Sequence, residues 1–287
     1  MDGILNICKP AGLTSHDLLE QVRKISGIRK SGHAGTLDPF ASGVMIVLSG
    51  EARKASRLFI GLDKEYRALI CLGALSDTLD STGRIEPTNA LQPTESKISQ
   101  VVKSFKGDYR HLVPDYSAKK IDGKKFYEIK REGGTPPQRI QESEIYEIEI
   151  EKIDYPLLEI RVRCSSGTYI RALARDIGGN LSTGAYLKEL SRISVGSFYL
   201  KNSVIPEDYK KGYTPLGEAL KSFPNITLNS SAASRLKHGI GFSENDILEK
   251  NGNISTGVFP AYSEGGELIA LVEKENDNFR ARRVFNL

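Results

Sequence analysis

Apolar positions along this chain fall into short runs whose spacing alternates between two and about 3.6 residues. Ile4 to Ile7 reads as a short strand, halted by Lys9-Pro10-Ala11-Gly12. Thr14 or Ser15 then caps a helix with Leu18, Leu19, Val22 and Ile25 along one face and Gly27 past its end. Val44-Met45-Ile46-Val47-Leu48 is unbroken and predicts a buried strand. Glu51 to Leu62 predicts a helix with Ala52, Ala55, Leu58 and Phe59 on one side. Lys64 to Leu72 alternates, which puts Tyr66 on the face of Ala68, Ile70 and Leu72. Thr94 to Lys106 predicts a helix with Ile98, Val101, Val102 and Phe105 inward.

Ile145 to Ile153 alternates strictly, with Tyr146, Ile148 and Ile150 opposed by Glu147, Glu149 and Glu151. That is the signature of a half-exposed antiparallel strand. Leu158, Ile160, Val162 and Cys164 form the next strand, and the two pair as a hairpin around Asp154-Tyr155-Pro156. A helix through Leu173, Ile177 and Leu181 follows, and Pro215 to Phe223 is one more short helix. Beyond Pro224 the chain holds short strands and glycine turns, which reads as a small β-rich domain. The whole is of α+β class, with one larger domain over residues 1–223 and a second over 224–287.

Three stretches escape both periods. Between Ser31 and Gly43, Gly32, Gly35, Pro39 and Gly43 break any regular element, and a single carboxylate, Asp38, sits among them. Read from the residues alone, Asp38 is either a turn aspartate bonding its own backbone or a catalytic group on a loop that feeds a buried strand. Gly73 to Gly83 is rich in Asp, Ser, Thr and Gly and reads as a loop carrying Asp77 and Asp80. Asp108 to Arg139 is long, basic, aromatic and interrupted by Pro114, Pro136 and Pro137. A loop of that length inside a compact domain is usually functional or mobile.

Composition changes this picture little. A net charge of +4 and a sequence pI of about 8.8 are compatible with a nucleic-acid partner. Locally, cations and aromatics interleave at Arg53–Arg67, Lys119–Arg131 and Arg280–Arg283, as on surfaces that bind phosphates and bases. Cys8, Cys71 and Cys164 are far apart, and the four histidines show no ligand spacing, so neither a disulfide framework nor a metal site is expected. The N-terminus does not resemble a signal peptide, and no apolar run has membrane-span length, so a cytoplasmic protein is expected.

The string Gly32-His33-Ala34-Gly35-Thr36-Leu37-Asp38-Pro39, continued by Ala41-Ser42-Gly43-Val44, resembles the catalytic signature of tRNA pseudouridine synthases of the TruB type. Lys9-Pro10-Ala11-Gly12-Leu13-Thr14-Ser15-His16 resembles the family's first motif, which braces the catalytic loop. Lys64-Glu65-Tyr66 matches its K-x-Y string, Pro114 to Lys120 its P-x-Y-S-A-x-K segment, and Cys164 to Arg171 its C-S-x-G-T-Y-I-R string. The match extends from Lys9 to about Arg192. Leu236-Lys237-His238-Gly239 and Leu268 to Val272 look more weakly like a PUA-type RNA-binding module. Ile46 and Arg53 stand where the family commonly has proline and threonine.

The resemblance implies a pseudouridine synthase fold, a mixed and largely antiparallel sheet with flanking helices, plus a PUA-like domain. It implies that Asp38 is the catalytic nucleophile, that Arg171 pairs with it and that Tyr66 stacks on the target uracil. It also implies that Tyr169 lines the pocket, that Leu190 is an apolar wall and that His33 faces the RNA. Lys54, Asp80, Lys119 and Lys120 complete the expected RNA-binding set, with residues 108–142 as an insertion that grips RNA. The implied reaction isomerises uridine 55 in the T-loop of tRNA. It breaks a glycosidic bond and re-forms it through carbon, with no net oxidation, so no cofactor is expected. The implied partner is the T-arm of tRNA, bound by a monomer with no protein partner and no membrane. Other readings are a tRNA-folding RNA chaperone, a guide-RNA-dependent synthase, and a glycoside hydrolase using Asp38 and Asp80.

Overall fold

The computed structural model describes every residue except Ala118, Asp122, Asn276 and Asp277, and excludes the side chains of Lys120, Lys125 and Arg131. The first part of the chain runs β1 (Gly3–Lys9), α1 (Ser15–Ser26), β2 (Ser31–His33), β3 (Ser42–Ser49), α2 (Ser56–Gly61) and β4 (Lys64–Leu72). Next come β5 (Ala74–Ser76), β6 (Ile85–Pro87), α3 (Glu95–Lys103), β7 (Gly107–Leu112), β8 (Lys120–Ile121), β9 (Lys124–Lys125) and α4 (Phe126–Arg131). They are followed by β10 (Ile140–Asp154), β11 (Leu157–Cys164), α5 (Ile170–Asn180), β12 (Ala185–Val195), β13 (Phe198–Tyr199), β14 (Tyr213–Pro215) and α6 (Leu216–Leu220). The chain ends with β15 (Asn225–Leu228), α7 (Ser230–Lys237), β16 (Phe242–Ser243), β17 (Ile247–Asn251), β18 (Val258–Ser263), β19 (Leu268–Glu275) and β20 (Asn278–Val284).

The larger sheet has the order β14-β1-β3-β12-β4-β11-β10-β7, with β2 alongside β3 and β13 alongside β12. Its pairings are antiparallel except where β12 meets β3, at Ser191–Ser42 and Arg192–Gly43. At that contact the backbones come close. Gly43 has φ 113°, and a Cβ there would lie 2.3 Å from the Arg192 carbonyl oxygen. Helices α3 and α5 cover one core, built on Ala68, Ile70, Ile98, Val102, Ile160 and Leu173. Helix α1 packs Leu18, Leu19 and Val22 on Leu5, Ile7, Met45 and Val47.

The smaller sheet, β16-β20-β19-β18-β15-β17, lies within residues 225–284. Its Tyr262, Leu268, Leu271 and Phe285 share one buried cluster with Ile4, Val44, Leu48, Phe59 and Leu220, so the two sheets are joined by apolar packing. Among the described residues, no helix is long and apolar enough to cross a membrane.

Several local readings are corrected by the structure. Gly50–Ala55 is a 3₁₀ turn, and the α-helix begins only at Ser56. The turn is capped from outside, because the Asp2 carboxylate accepts the Glu51 amide at 2.7 Å. Ile25, in the last turn of α1, stays 44% exposed and does not join the core. The alternation of β10 changes phase at a bulge between Ile145 and Glu147, so Ile145 is buried and the Tyr146 ring packs outside under Arg163. The stretch 108–139 is not one loop. Tyr109 and His111 point inward from β7, and Phe126, at 1% exposure, anchors α4.

Candidate active site

Asp38 is placed by three outside anchors. The Ser15 hydroxyl donates to the Leu37 carbonyl at 2.9 Å, and the Leu37 amide donates back to it at 2.8 Å. Ser15 opens α1, whose start is fixed by a capping box between Thr14 and Asp17. The buried Lys9 ammonium donates to the carbonyls of Pro10, Leu13 and Pro39 at 3.0, 2.6 and 3.2 Å. Burial pushes the Lys9 pKa down to about 8. On the other side Arg192, 1% exposed, donates to the carbonyls of Val44 at 2.7 Å and of Thr36 and Gly35 at 3.4 Å. Together these contacts bind Gly35 to Pro39 to strands β1, β3 and β12.

The carboxylate then meets a guanidinium from α5. Arg171 Nε donates to Asp38 Oδ2 at 2.9 Å and Nη2 to Oδ1 at 3.2 Å, a two-pronged charge-assisted pair. Arg171 is 4% exposed, while the Asp38 side chain keeps 32% of its surface open. The remaining donors of Arg171 are used on the Thr78 carbonyl at 3.1 Å and the Tyr116 carbonyl at 2.8 Å. A second carboxylate, Asp80, approaches Arg171 Nη1 at 3.5 Å. Its other oxygen accepts from the Thr78 hydroxyl, the Thr82 amide and the Thr82 hydroxyl at 2.7, 3.0 and 2.6 Å. One arginine therefore gathers the catalytic-string loop, the acidic loop and the segment around Tyr116.

The open side of Asp38 faces a cleft of about 330 Å³, at the lower end of the range that holds small ligands. Leu37, Tyr66, Tyr169, Ile170 and Leu190 supply its apolar and aromatic walls, and Lys64, Ser117, Lys119, Thr168 and Arg192 its polar ones. Burial pushes the Tyr66 phenol up to about 12, so the ring enters the cleft as a neutral phenol. Burial likewise raises the Tyr169 phenol. The arrangement offers one accessible, oriented carboxylate beside an aromatic platform, suited to reaction at a flat, uncharged ring.

Residues 23–170 match the family model described as TruB family pseudouridylate synthase (N terminal domain). The chain is 36% identical over 293 residues to tRNA pseudouridine synthase B of Caldanaerobacter subterraneus subsp. tengcongensis, covering 99% of each chain. It is 39% identical over 255 residues to tRNA pseudouridine synthase B of Clostridium acetobutylicum, covering 87% of this chain and 88% of that one.

The chain belongs to the TruB family of pseudouridylate synthases.

Its fold is the pseudouridine synthase fold. A chain in a Cbf5-Nop10-Gar1 complex superposes with a TM-score of 0.79 at 27% identity, over 99% of this chain and 84% of that one. A chain in an H/ACA RNP bound to a substrate RNA containing 2′-deoxyuridine gives a TM-score of 0.78 at 25% identity, over 99% and 85%.

Of the residues singled out by the TruB-type strings, the structure brings Asp38, Tyr66, Lys119, Tyr169, Arg171 and Leu190 to one cleft. Asp80 lies behind Arg171 and does not line it. His33 sits on β2, half-buried and away from the cleft wall, and burial with the nearby Arg192 lowers its pKa. Lys54 lies at the seam between the sheets, where it pairs with Glu51 and donates to the Val284 carbonyl at 2.9 Å. The Lys120 side chain is outside the described set. Lys64 and Arg192 also line the cleft, although the family strings that contain them imply no role for either. Each lies two residues from a chosen position on the same strand, Lys64 beside Tyr66 and Arg192 beyond Leu190, so strand parity points both to the same face.

Proposed function

We propose that this TruB-family enzyme isomerises uridine 55 in the T-loop of tRNA to pseudouridine. The carrying observation is the two-pronged Arg171–Asp38 pair at the mouth of a cleft walled by Tyr66. A uridine inside a folded T-loop cannot reach Asp38, so it has to leave the stack, at a cost of a few kcal/mol. Stacking on the Tyr66 ring returns about 1–3 kcal/mol of that cost. Asp38, oriented by Arg171, then acts as the nucleophile: the N1–C1′ bond breaks, the uracil turns, C5 bonds to C1′, the C5 proton leaves, N1 takes up a proton and Asp38 is released. Leu190 and Leu37 keep the turning ring in an apolar slot.

In this reading residues 1–223 form the catalytic domain, with residues 108–142 as an insertion gripping the T-arm. Residues 224–287 form a PUA-like RNA-binding domain. The enzyme works in the cytoplasm as a monomer, without a protein partner. Two facts support an insertion tied to the site: the Tyr116 carbonyl touches Arg171, and Lys119 lines the cleft.

The test is pseudouridine mapping in an unmodified tRNA transcript treated with the pure protein, alongside a transcript carrying cytidine at position 55. One pseudouridine at position 55, absent from the control, is expected. Pseudouridine elsewhere would overturn the assigned position. Tight binding with faster tRNA folding and no pseudouridine would point to the RNA chaperone.

A further inference from the structure

Helix α5 carries Tyr169, Ile170 and Arg171 to the cleft, yet nothing in its own sequence fixes its start. Tyr169 is the N-cap and makes no side-chain cap bond. The third helical residue, where a capping box would place Glu or Gln to take the cap residue's amide, is Ala172. The acceptor comes instead from another strand. The Tyr169 amide donates to His111 Nε2 at 3.4 Å. His111 is 3% exposed on β7, at the far edge of the sheet.

Aromatic packing holds the imidazole on two sides. Tyr109 stacks on it with centroids 4.4 Å apart and planes 12° apart. The Tyr169 ring meets it edge-on at 5.9 Å. Tyr109 in turn donates its hydroxyl to Asp176 Oδ2 at 2.6 Å, and Arg175 Nε donates to Asp176 Oδ1 at 2.7 Å. Strand β7 thus grips α5 at its cap and again at Asp176. Arg171 lies between the two grips.

We propose that His111 is a positioning residue of the reaction: as a neutral imidazole accepting the Tyr169 amide, it fixes the start of α5 and so the placement of Tyr169 and Arg171 against Asp38. Accepting at Nε2 requires the proton on Nδ1, a buried nitrogen without a hydrogen-bond partner among the described residues. A second proton would turn Nε2 into a donor facing another donor, and the contact would be lost. The groups facing the ring are Tyr109 on β7, Tyr169 at the cap, and Asp176 and Arg175 on α5. Burial is the largest influence and, with Arg175, holds the histidine's pKa below its ordinary value; the backbone carbonyls of Tyr109 and Gly167 and the Asp176 carboxylate favour the charged ring but do not outweigh it. The neutral form therefore prevails at neutral pH, and the contact fails in acid.

This proposal rests on the synthase reading, and its test separates the two. His111→Gln keeps an acceptor that cannot gain a proton in this range, and His111→Phe keeps the stacking but removes the acceptor. Single-turnover pseudouridine formation and tRNA affinity are followed from pH 5.5 to 8, with amide hydrogen exchange of residues 169–172 corrected for the intrinsic pH dependence. For His111→Phe the expected result is a rate lowered about tenfold or more, the scale of one buried amide left unpaired, with affinity unchanged. His111→Gln is expected to keep most of the rate and to lose an acid decline that the wild type shows. Exchange at 169–172 is expected to rise in His111→Phe and, in acid, in the wild type. Equal rates and equal exchange in the wild type and His111→Phe would overturn the proposal, as would an identical acid decline in the wild type and His111→Gln. If the wild type makes no pseudouridine, the synthase reading fails, and the exchange data still decide whether His111 fixes α5.

Discussion

Lys9 reaches the carbonyl of Pro39, the residue after Asp38, with its ammonium 3.2 Å away. The contact ties the first motif to the catalytic string through a charge that is fully buried. Lys64, beside Tyr66, is a second such lysine, capping the carbonyls of Ile60 and Leu62.

Burial pushes both lysines down to about 8 in the folded chain. An unfolded lysine titrates near 10.4, so between these values the unfolded state binds more protons and folding stability rises with pH. The sign is opposite to that of a lysine gaining an ion-pair partner. Chemical denaturation at pH 7.5 and 9.5, below the ordinary tyrosine range, should show a rise in the wild type that is smaller in Lys9→Met and in Lys64→Met. Lys9→Met should also lower the rate of catalysis, because the Pro39 carbonyl then keeps only the Gly12 amide, at 2.8 Å, and the Leu13 carbonyl loses the Lys9 ammonium.

Tyr66 acts in this account through its ring. Its phenol, pushed up to about 12, stays protonated through the working range. Tyr66→Phe should therefore keep the rate within about tenfold, whereas Tyr66→Leu should lose at least the 1–3 kcal/mol that base stacking supplies. Single-turnover rates at saturating enzyme separate the two variants.

Gly43 and Gly12 both have left-handed backbones, with φ 113° and 92°. Only Gly43 also meets backbone: its Cβ would lie 2.3 Å from the Arg192 carbonyl oxygen, while nothing stands within 4 Å at Gly12. Gly12→Ala should cost about 1 kcal/mol from the strained φ alone, and Gly43→Ala clearly more, in the range reserved for backbone clashes. Urea midpoints of the two variants check the ranking.

Asp38, Tyr66 and Arg171 were legible because each sits in a string with a specific order of residue types, and the fold carries all three strings to one cleft. Strand parity adds Lys64 and Arg192, which share the faces of Tyr66 and Leu190. Their ammonium and guanidinium groups are satisfied by backbone carbonyls, a pairing that spacing alone does not announce. The strand Gly107–Leu112 was missed for a related reason: its inward residues are Tyr109 and His111, not aliphatics, so the alternation was hidden. The external cap that Asp2 provides for residue 51 and the capping of α5 by His111 join segments far apart in sequence. Lys54 belongs to the expected RNA-binding set, but the turn after Gly50 directs it to the seam with the smaller sheet.

The most direct measurement is tritium release from C5-labelled uridine in an unmodified tRNA transcript, comparing the wild type with Asp38→Asn. Release by the wild type and none by Asp38→Asn, with both proteins folded and binding tRNA, is the predicted result. Equal release by both would remove Asp38 from the chemistry and contradict the account at its centre.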